Sequence, residues 1–222
     1  MVNIFSFSLY GNERKYTEGL IENIKLINSK YPLWHIWVYL GDDVTTETKA
    51  LYSPFCNVKL IETYANGFHT KFFRYFPIDT QEVDICIIRD ADSRVNDRDD
   101  ACIKDFIVSD KLFHIIRDHP NHKHLIMAGM WGIKKGCLSG LICDLFFKWK
   151  QNNMIDFWSD TTFLVECIYP RVTTKSLIHD DLNHFNDGAL QIPHKMDGIH
   201  FIGQVYEFNK DNREYPKFPW VT

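Results

Sequence analysis

Two aspartates with one residue between them, Asp90 and Asp92, come just after the nearly unbroken apolar run Val83-Asp84-Ile85-Cys86-Ile87-Ile88 and Arg89. Such a run suits a strand buried on both faces of a parallel sheet. Open α/β sheets bind ligands in the crevice beyond the carboxyl ends of their strands. The Asp-Ala-Asp triplet is therefore placed to hold a divalent cation against a phosphate-bearing ligand. Acidic residues in a solvated turn would give the same triplet. Lys71 and Arg74, three apart in the aromatic segment 68–76, would share a helix face. Their charges suit a diphosphate or an acidic partner; the plainer alternative is two surface charges flanking buried phenylalanines.

Four further stretches carry side chains capable of chemistry. Gly129-Met130-Trp131-Gly132-Ile133-Lys134-Lys135-Gly136 reads as a turn whose glycines let a backbone approach a ligand, with Trp131 offering a flat face for a sugar or serving as core. Asp160, after Ser159 and before an apolar run, is either part of a helix N-terminal cap or a carboxylate facing the reacting group. The His119/His122/His124 cluster and the segment His179 to Gly188 are rich in ligand-type side chains. Pro120, Asn121 and the Asn, Asp and Gly content of the second segment describe loops equally well. His200, on a short apolar stretch read as a strand, is by itself more often a satisfied core residue than a ligand.

These residues need a scaffold, and the remaining pattern supplies one. Val2 to Ser8 reads as a strand, Lys15 to Lys30 as a helix with Tyr16, Leu20, Ile24 and Ile27 on one face, and Leu33 to Leu40 as a second strand. A short helix around Thr46 to Tyr52 and a strand Val58 to Glu62 follow, a β-α-β-α-β order that marks a parallel sheet wound with helices. Beyond the aspartates the pattern predicts a helix over 99–109, strands over 111–117 and 125–130, a helical stripe from Leu138 to Trp149, and an extended tail from Asn209.

With 222 residues, 45% hydrophobic and 24% charged, the chain has the composition of one α/β domain with a sizeable core. A net charge of −4 argues against a nucleic-acid surface. No stretch reaches membrane-spanning length. Six scattered cysteines without a Cys-x-x-Cys pair, and an N-terminus without the features of a signal peptide, point to a cytoplasmic protein with reduced thiols.

Taken in order, the β-α-β-α-β start, the basic segment, the strand ending in Asp90-Ala91-Asp92, the glycine-and-tryptophan stretch and a late His200-Phe201-Ile202-Gly203 resemble a glycosyltransferase of the GT-A fold, in its glycogenin-like retaining branch. The compact size and the histidine- and aromatic-rich style also resemble the small capsid-modifying glycosyltransferase domain of the large algal DNA viruses. The likeness spans nearly the whole chain. It implies one domain over 1–222, with a nucleotide-binding half at 1–92 and an acceptor-side half with the tail at 93–222. It also implies a central, mainly parallel twisted sheet flanked by helices.

By the same resemblance, Asp90, Asp92 and His200 would ligate Mn²⁺ or Mg²⁺, and Asp92 and Asp160 would be the catalytic carboxylates. Phe7, Ser8, Leu9, Tyr10, Arg14, Lys71, Arg74, Asp90, Ala91, Gly129, Trp131 and Gly203 would line the nucleotide-sugar site. The implied reaction moves a sugar from a nucleotide diphosphate sugar, with UDP preferred, to a glycan or glycoprotein such as a viral capsid glycan, in the host cytoplasm if the chain is viral. Two departures stand out: the lysine that follows His-Phe-x-Gly in that branch falls at Tyr206, and its Asp-Gln pair is Asp160-Thr161 here. The competing readings are a metal-dependent phosphohydrolase or nucleotidyltransferase using the same carboxylates, and a non-catalytic glycan-binding module.

Overall fold

Strand β1 (Val2–Leu9) is an interior strand of the central sheet, and its last six residues are buried. In this computed structural model, which describes residues 1–211 and 213–217, β1 pairs in parallel with β2 (His35–Leu40) on one side and β4 (Val83–Arg89) on the other. With β3 (Val58–Glu62), β5 (Phe113–Arg117), β6 (Met130–Lys134) and β7 (Ser176–Asp180), a seven-stranded sheet forms in the order β3-β2-β1-β4-β6-β5-β7, with β6 antiparallel to both neighbours. The chain leaves β1 toward one edge and returns to its other side at β4. The crevice beyond the carboxyl ends of these two strands is the switch point where open α/β sheets bind ligands.

Helices cover both faces. Helix α1 (Arg14–Lys30) buries Leu20, Ile24 and Ile27 in a cluster with Phe5, Phe7, Val38 and Ile87. Each such fully buried side chain contributes about 1.5–3 kcal/mol. The helix ends at Tyr31, whose N–H is accepted by Ile27 O, and Pro32 prevents its continuation. Helix α2 (Thr46–Ala50) is capped by Thr45, and α3 (Asp97–Val108) by Asn96, whose side chain accepts from Asp99 N. On the opposite face a 3₁₀ helix (Gly67–Tyr75), α4 (Ile142–Lys150) and α5 (Ser159–Phe163) pack Phe72, Phe146 and Phe163 into an aromatic cluster, and a π-turn and α6 (Tyr169–Val172) continue from α5. No helix of the described residues is long and apolar enough to cross a membrane.

Three expectations need correcting. The strand expected over 125–130 begins at Met130, where it was expected to end, and runs to Lys134 through the stretch read as a turn. Its glycine and charged residues hide the strand, because Gly132 sits against Ile87 in the sheet, where a Cβ would lie 2.7 Å from Ile87 Cδ1. Ser176–Asp180, read partly as loop, is the edge strand β7. His200 lies in irregular structure just after a bend at 198–199, and not on a strand. The tail includes a small antiparallel pair, β8 (Tyr206–Phe208) with β9 (Glu214–Pro216); Asn212 and residues 218–222 lie outside the described residues.

Candidate active site

The Asp-Ala-Asp triplet leaves the end of β4 in a tight turn, closed by Ser93 N and Ser93 Oγ donating to Asp90 O at 3.3 and 3.0 Å. Asn23 of α1, fully buried, fixes this turn from below. Its Nδ2 donates to Ala91 O and Ser93 O at 3.3 and 2.7 Å, and its Oδ1 accepts from Val95 N at 3.1 Å. Gly19 allows the close approach, since a Cβ there would lie 2.6 Å from Ala91 O. Asn23 was not singled out from the sequence. The signal available was a polar residue within the buried face marked by Leu20, Ile24 and Ile27.

Asp90 and Asp92 face different surroundings. Asp90 is ion-paired with Arg74, which also reaches Asp160 with Nη2–Oδ2 3.4 Å, so one buried guanidinium joins two carboxylates from different elements. Lys71 adds a second cation, 3.7 Å from Asp160 Oδ1, and donates to Phe157 O at 2.6 Å. Burial pushes the Asp160 carboxyl up and the Lys71 ammonium down, each partly offset by the other. Asp160 is at the first turn of α5 rather than its cap, and its Oδ1 accepts from Thr161 N at 2.9 Å. Asp92 is 9% exposed; its backbone oxygen accepts from Tyr206 N at 2.8 Å, but its carboxylate accepts no hydrogen bond from another of the described residues. Burial first, and the neighbouring Asp90 charge second, push its carboxyl up to about 7.

Gly129 explains how Asp90 fits. The β4–β6 register pairs Arg89 with Met130, which carries Gly129 alongside Asp90. A Cβ at Gly129 would lie 1.9 Å from Asp90 Oδ2. Gly129→Ala is therefore expected to displace the Asp90 carboxylate from Arg74 and to weaken at least tenfold the metal-dependent UDP binding that the family resemblance implies. Calorimetric titration of UDP in Mn²⁺ is the check, and unchanged affinity would show that Asp90 moves without consequence.

The other predicted site residues divide clearly. Tyr10 stands at the end of β1 with its ring stacked on Tyr16 (6.5 Å, 26°) and edge-on to Phe68 at 6.4 Å. Ser8 is committed to holding the 3₁₀ helix that carries Lys71, donating to Thr70 O at 2.9 Å. Phe7 and Leu9 point into the core on the α1 side, so only their backbone is available to a ligand. Ala91 is buried beneath α1. Arg14 is on the outer face of α1, paired with Glu18 and over the Phe208 ring. Gly203, with φ +80°, allows Met130 to approach, since a Cβ would lie 2.5 Å from its Sδ.

Trp131 does not present a face to sugar. It is fully buried, stacked on Phe113 (5.2 Å, 17°), and donates through Nε1 to Ala128 O at 3.1 Å. Its place as the second residue of β6 turns it into the core. His200 stands apart from the aspartates: its Nδ1 is 2.7 Å from Asp197 Oδ2, and it lines a separate cleft with Asn96, Arg98 and His194. Among the described residues no group of three or more His, Cys, Asp or Glu is gathered as a metal site.

A cavity of ≈ 170 Å³ opens beside Asp90 and Asp160, with Lys71, Gly129, Met130 and Gly203 in its wall. His122, Phe157, Trp158 and Thr161 also line it, and none of these was singled out individually as a site residue from the sequence.

No protein-family model and no curated protein matches the chain. Solved structures do. The galactosyltransferase LgtC in complex with donor and acceptor sugar analogs aligns over 81% of this chain and 74% of its own, with TM-score 0.53 and 14% identity. A glycosyltransferase involved in the glycosylation of the major capsid of PBCV-1 aligns over 82% and 83%, with TM-score 0.51 and 16% identity. The chain has the GT-A fold. Identities this low carry the fold alone. The 4-diphosphocytidyl-2C-methyl-D-erythritol synthase from Anaerococcus prevotii also aligns over 73% of this chain and 82% of its own, with TM-score 0.50 and 8% identity. A GT-A fold therefore frames the site without choosing its reaction, and the side chains have to choose it.

Proposed function

We propose that this chain is a metal-dependent glycosyltransferase that moves a sugar from a UDP-sugar to a glycan or glycoprotein acceptor, such as a viral capsid glycan, with retention of configuration. The observation that carries the reading is Asp92: a carboxylate taken out of water beside a second carboxylate, with no donor from another described residue to satisfy it. Such a group favours a cation. Arg74 and Lys71 are already paired with Asp90 and Asp160, which leaves little positive charge free for a diphosphate; one divalent ion supplies it.

The residues fit such an ion. Mg²⁺ and its relatives bind through one or two carboxylates and share their remaining positions with water and substrate phosphates. Asp90 and Asp92 supply the two hard oxygen donors, and His200, held by Asp197, is not required as a third. When bound, Mn²⁺ or Mg²⁺ supplies Lewis-acid neutralisation of charge on the departing nucleotide diphosphate. Lys71 and Arg74 add fixed positive charge to the same oxygens. Tyr10 supplies a stacking face for the base, and backbone groups at Phe7 to Leu9 read its edge. Asp160, oriented by Arg74, Lys71 and Thr161 N, faces the transferred sugar. Residues 1–92 thus hold the nucleotide and 93–222 the acceptor, in the cytoplasm of the cell, the host's for a viral chain.

Calorimetric titration of UDP with Mn²⁺ and again with chelator tests the donor site. Binding in the micromolar range that falls at least tenfold without metal is expected. Incubation with UDP-sugars should then release UDP, whereas release of pyrophosphate or inorganic phosphate would place the chemistry with nucleotidyl transfer or phosphohydrolysis. Absence of UDP binding in both conditions would overturn the donor assignment.

A further inference from the structure

With Trp131 committed to the core, the aromatic surface of the site lies elsewhere. Phe157 and Trp158, 54% and 57% exposed, are large apolar residues held in the open three and two residues before Asp160. They meet edge to face (5.0 Å, 89°), and both line the cavity beside Asp90 and Asp160. The contact continues in both directions. Phe157 packs edge-on to Phe68 at 5.9 Å and Phe68 on Tyr10, while the Trp158 ring lies 5.9 Å from His124. A continuous aromatic border therefore runs from Tyr10, at the nucleotide end, to Trp158 and His124 at the far side of Asp160.

The position of this border is fixed by polar contacts. Lys71 Nζ donates to Phe157 O and lies 4.6 Å from the Phe157 ring centroid and 4.8 Å from that of Phe68. Ser159 Oγ donates to Asp156 Oδ1 and accepts from Asp156 N, both at 2.8 Å, which closes the loop just before α5. Trp158 is thus exposed on a braced loop, where its burial on folding brings little stability. Exposure alone does not mark a site, since Phe147 is as exposed; what sets Phe157 and Trp158 apart is that they are contiguous and line the cavity beside Asp160.

The polar lining of the same cavity limits what that ligand is. Asp160 and Thr161 lie at one wall and His122 at another. His122 Nδ1 accepts from Asp118 N at 2.9 Å, so the neutral ring carries its proton on Nε2 and acts as a donor. Burial keeps this imidazole neutral, with its pKa pushed down to about 3. Flat apolar surface at the rim with hydroxyl-matching donors and acceptors inside is the complement of a sugar ring, which has an apolar face and a polar edge. The cavity, at ≈ 170 Å³, is below the roughly 300–1,000 Å³ usual for drug-sized ligands and suits a single small ring.

We infer that Phe157 and Trp158 form the acceptor subsite, and that the acceptor is a carbohydrate whose terminal ring stacks on Trp158 with its polar edge toward Thr161 and His122, leaving Asp160 to the transferred sugar. This rests on the transferase reading and narrows it, because a protein side-chain hydroxyl would not need the aromatic border.

The test is a glycan array probed with the full chain and with Trp158→Ala and Trp158→Tyr, each accompanied by a UDP/Mn²⁺ titration. Glycans bound by the parent protein are expected to lose at least tenfold in affinity with Trp158→Ala and to keep most of it with Trp158→Tyr. A parent protein that binds no carbohydrate, or glycan binding unchanged in Trp158→Ala, overturns the subsite. The UDP titration reports separately on the donor site. Trp158-dependent glycan binding without UDP binding would leave a carbohydrate site while removing the transferase reading.

Discussion

Asp92→Asn is expected to reduce sugar transfer or donor hydrolysis by about 10²–10³ or more, the scale on which loss of one stabiliser of developing charge is felt. The substitution keeps the size of the side chain and removes only its charge. Because the Asp92 carboxylate makes no hydrogen bond to another described residue, none is lost with its charge, and the weaker attraction to Lys15 and Arg94 is outweighed by relief of burial and of the Asp90 repulsion. A folded but inactive protein should result, with metal-dependent UDP binding lost in parallel. Full activity in Asp92→Asn would remove the metal assignment.

The same residue makes a pH prediction of defined sign. Its carboxyl is raised from 3.8 to about 7 in the fold, by burial and then by Asp90. A raised carboxyl binds a proton in the folded state that the unfolded chain has already released. The metal-free protein therefore loses stability as pH rises across that window, and the loss is complete above about 7. Asparagine is neutral throughout. Above neutrality Asp92→Asn should melt higher than the parent in chelator, by about 2–4 °C for each kcal/mol of relieved repulsion, and the difference should vanish near pH 4. Metal-dependent UDP binding by the parent should weaken as pH falls below about 7, because the proton competes with the cation. Coincident melting profiles of the two proteins across pH 4–8 would count against an isolated buried Asp92.

What could be read from the sequence was set by how local the determining physics is. The β-α-β-α-β start follows from apolar periodicity and turn residues, and β3 matches its expected span, Val58–Glu62. The place of Asp90 and Asp92 at the end of β4 was legible because a buried strand ends in charge. Strand β6 was misplaced because its identity comes from partners on β4 and β5, not from its own composition, which contains a glycine and a lysine. Trp131 was ambiguous for the same reason: one register step decides between core and crevice. The pairing of Arg74 with both Asp90 and Asp160, 16 and 86 residues away, has no sequence signal at all. The cavity wall drew on the loops around His122 and Trp158, where exposure depends on tertiary placement alone.

The largest stability effect is expected one residue before the aspartates. Arg89, 1% exposed at the end of β4, meets the equally buried Asp99 of α3 through two parallel bonds of 2.8 and 2.6 Å. Its Nη1 also donates to Ile88 O at 2.6 Å and Trp131 O at 3.1 Å, so the guanidinium is satisfied on both sides and ties β4 and β6 to α3. Charges this deep gain little over well-packed apolar residues, but removal of one partner strands the other in a medium that cannot solvate it. Arg89→Met should therefore cost about 3–5 kcal/mol, and about 6–20 °C in melting temperature at roughly 2–4 °C per kcal/mol for a chain of this size. Removal of both charges, in Arg89→Met with Asp99→Leu, should recover more than half of that loss, because no unpaired ion remains; the carbonyls of Ile88 and Trp131 would still lose their donor, a smaller penalty of about 1 kcal/mol each. Chemical denaturation of the four proteins of this cycle measures the coupling directly. A double variant no more stable than Arg89→Met would mean that the guanidinium acts mainly through the carbonyls of β4 and β6, and that Asp99 is a secondary partner. Since Asp90 follows Arg89 directly, the double variant also asks whether the aspartate turn keeps its place: UDP affinity in Mn²⁺ within about threefold of the parent is expected, because Asn23, Gly129 and Arg74 hold that turn independently of Asp99.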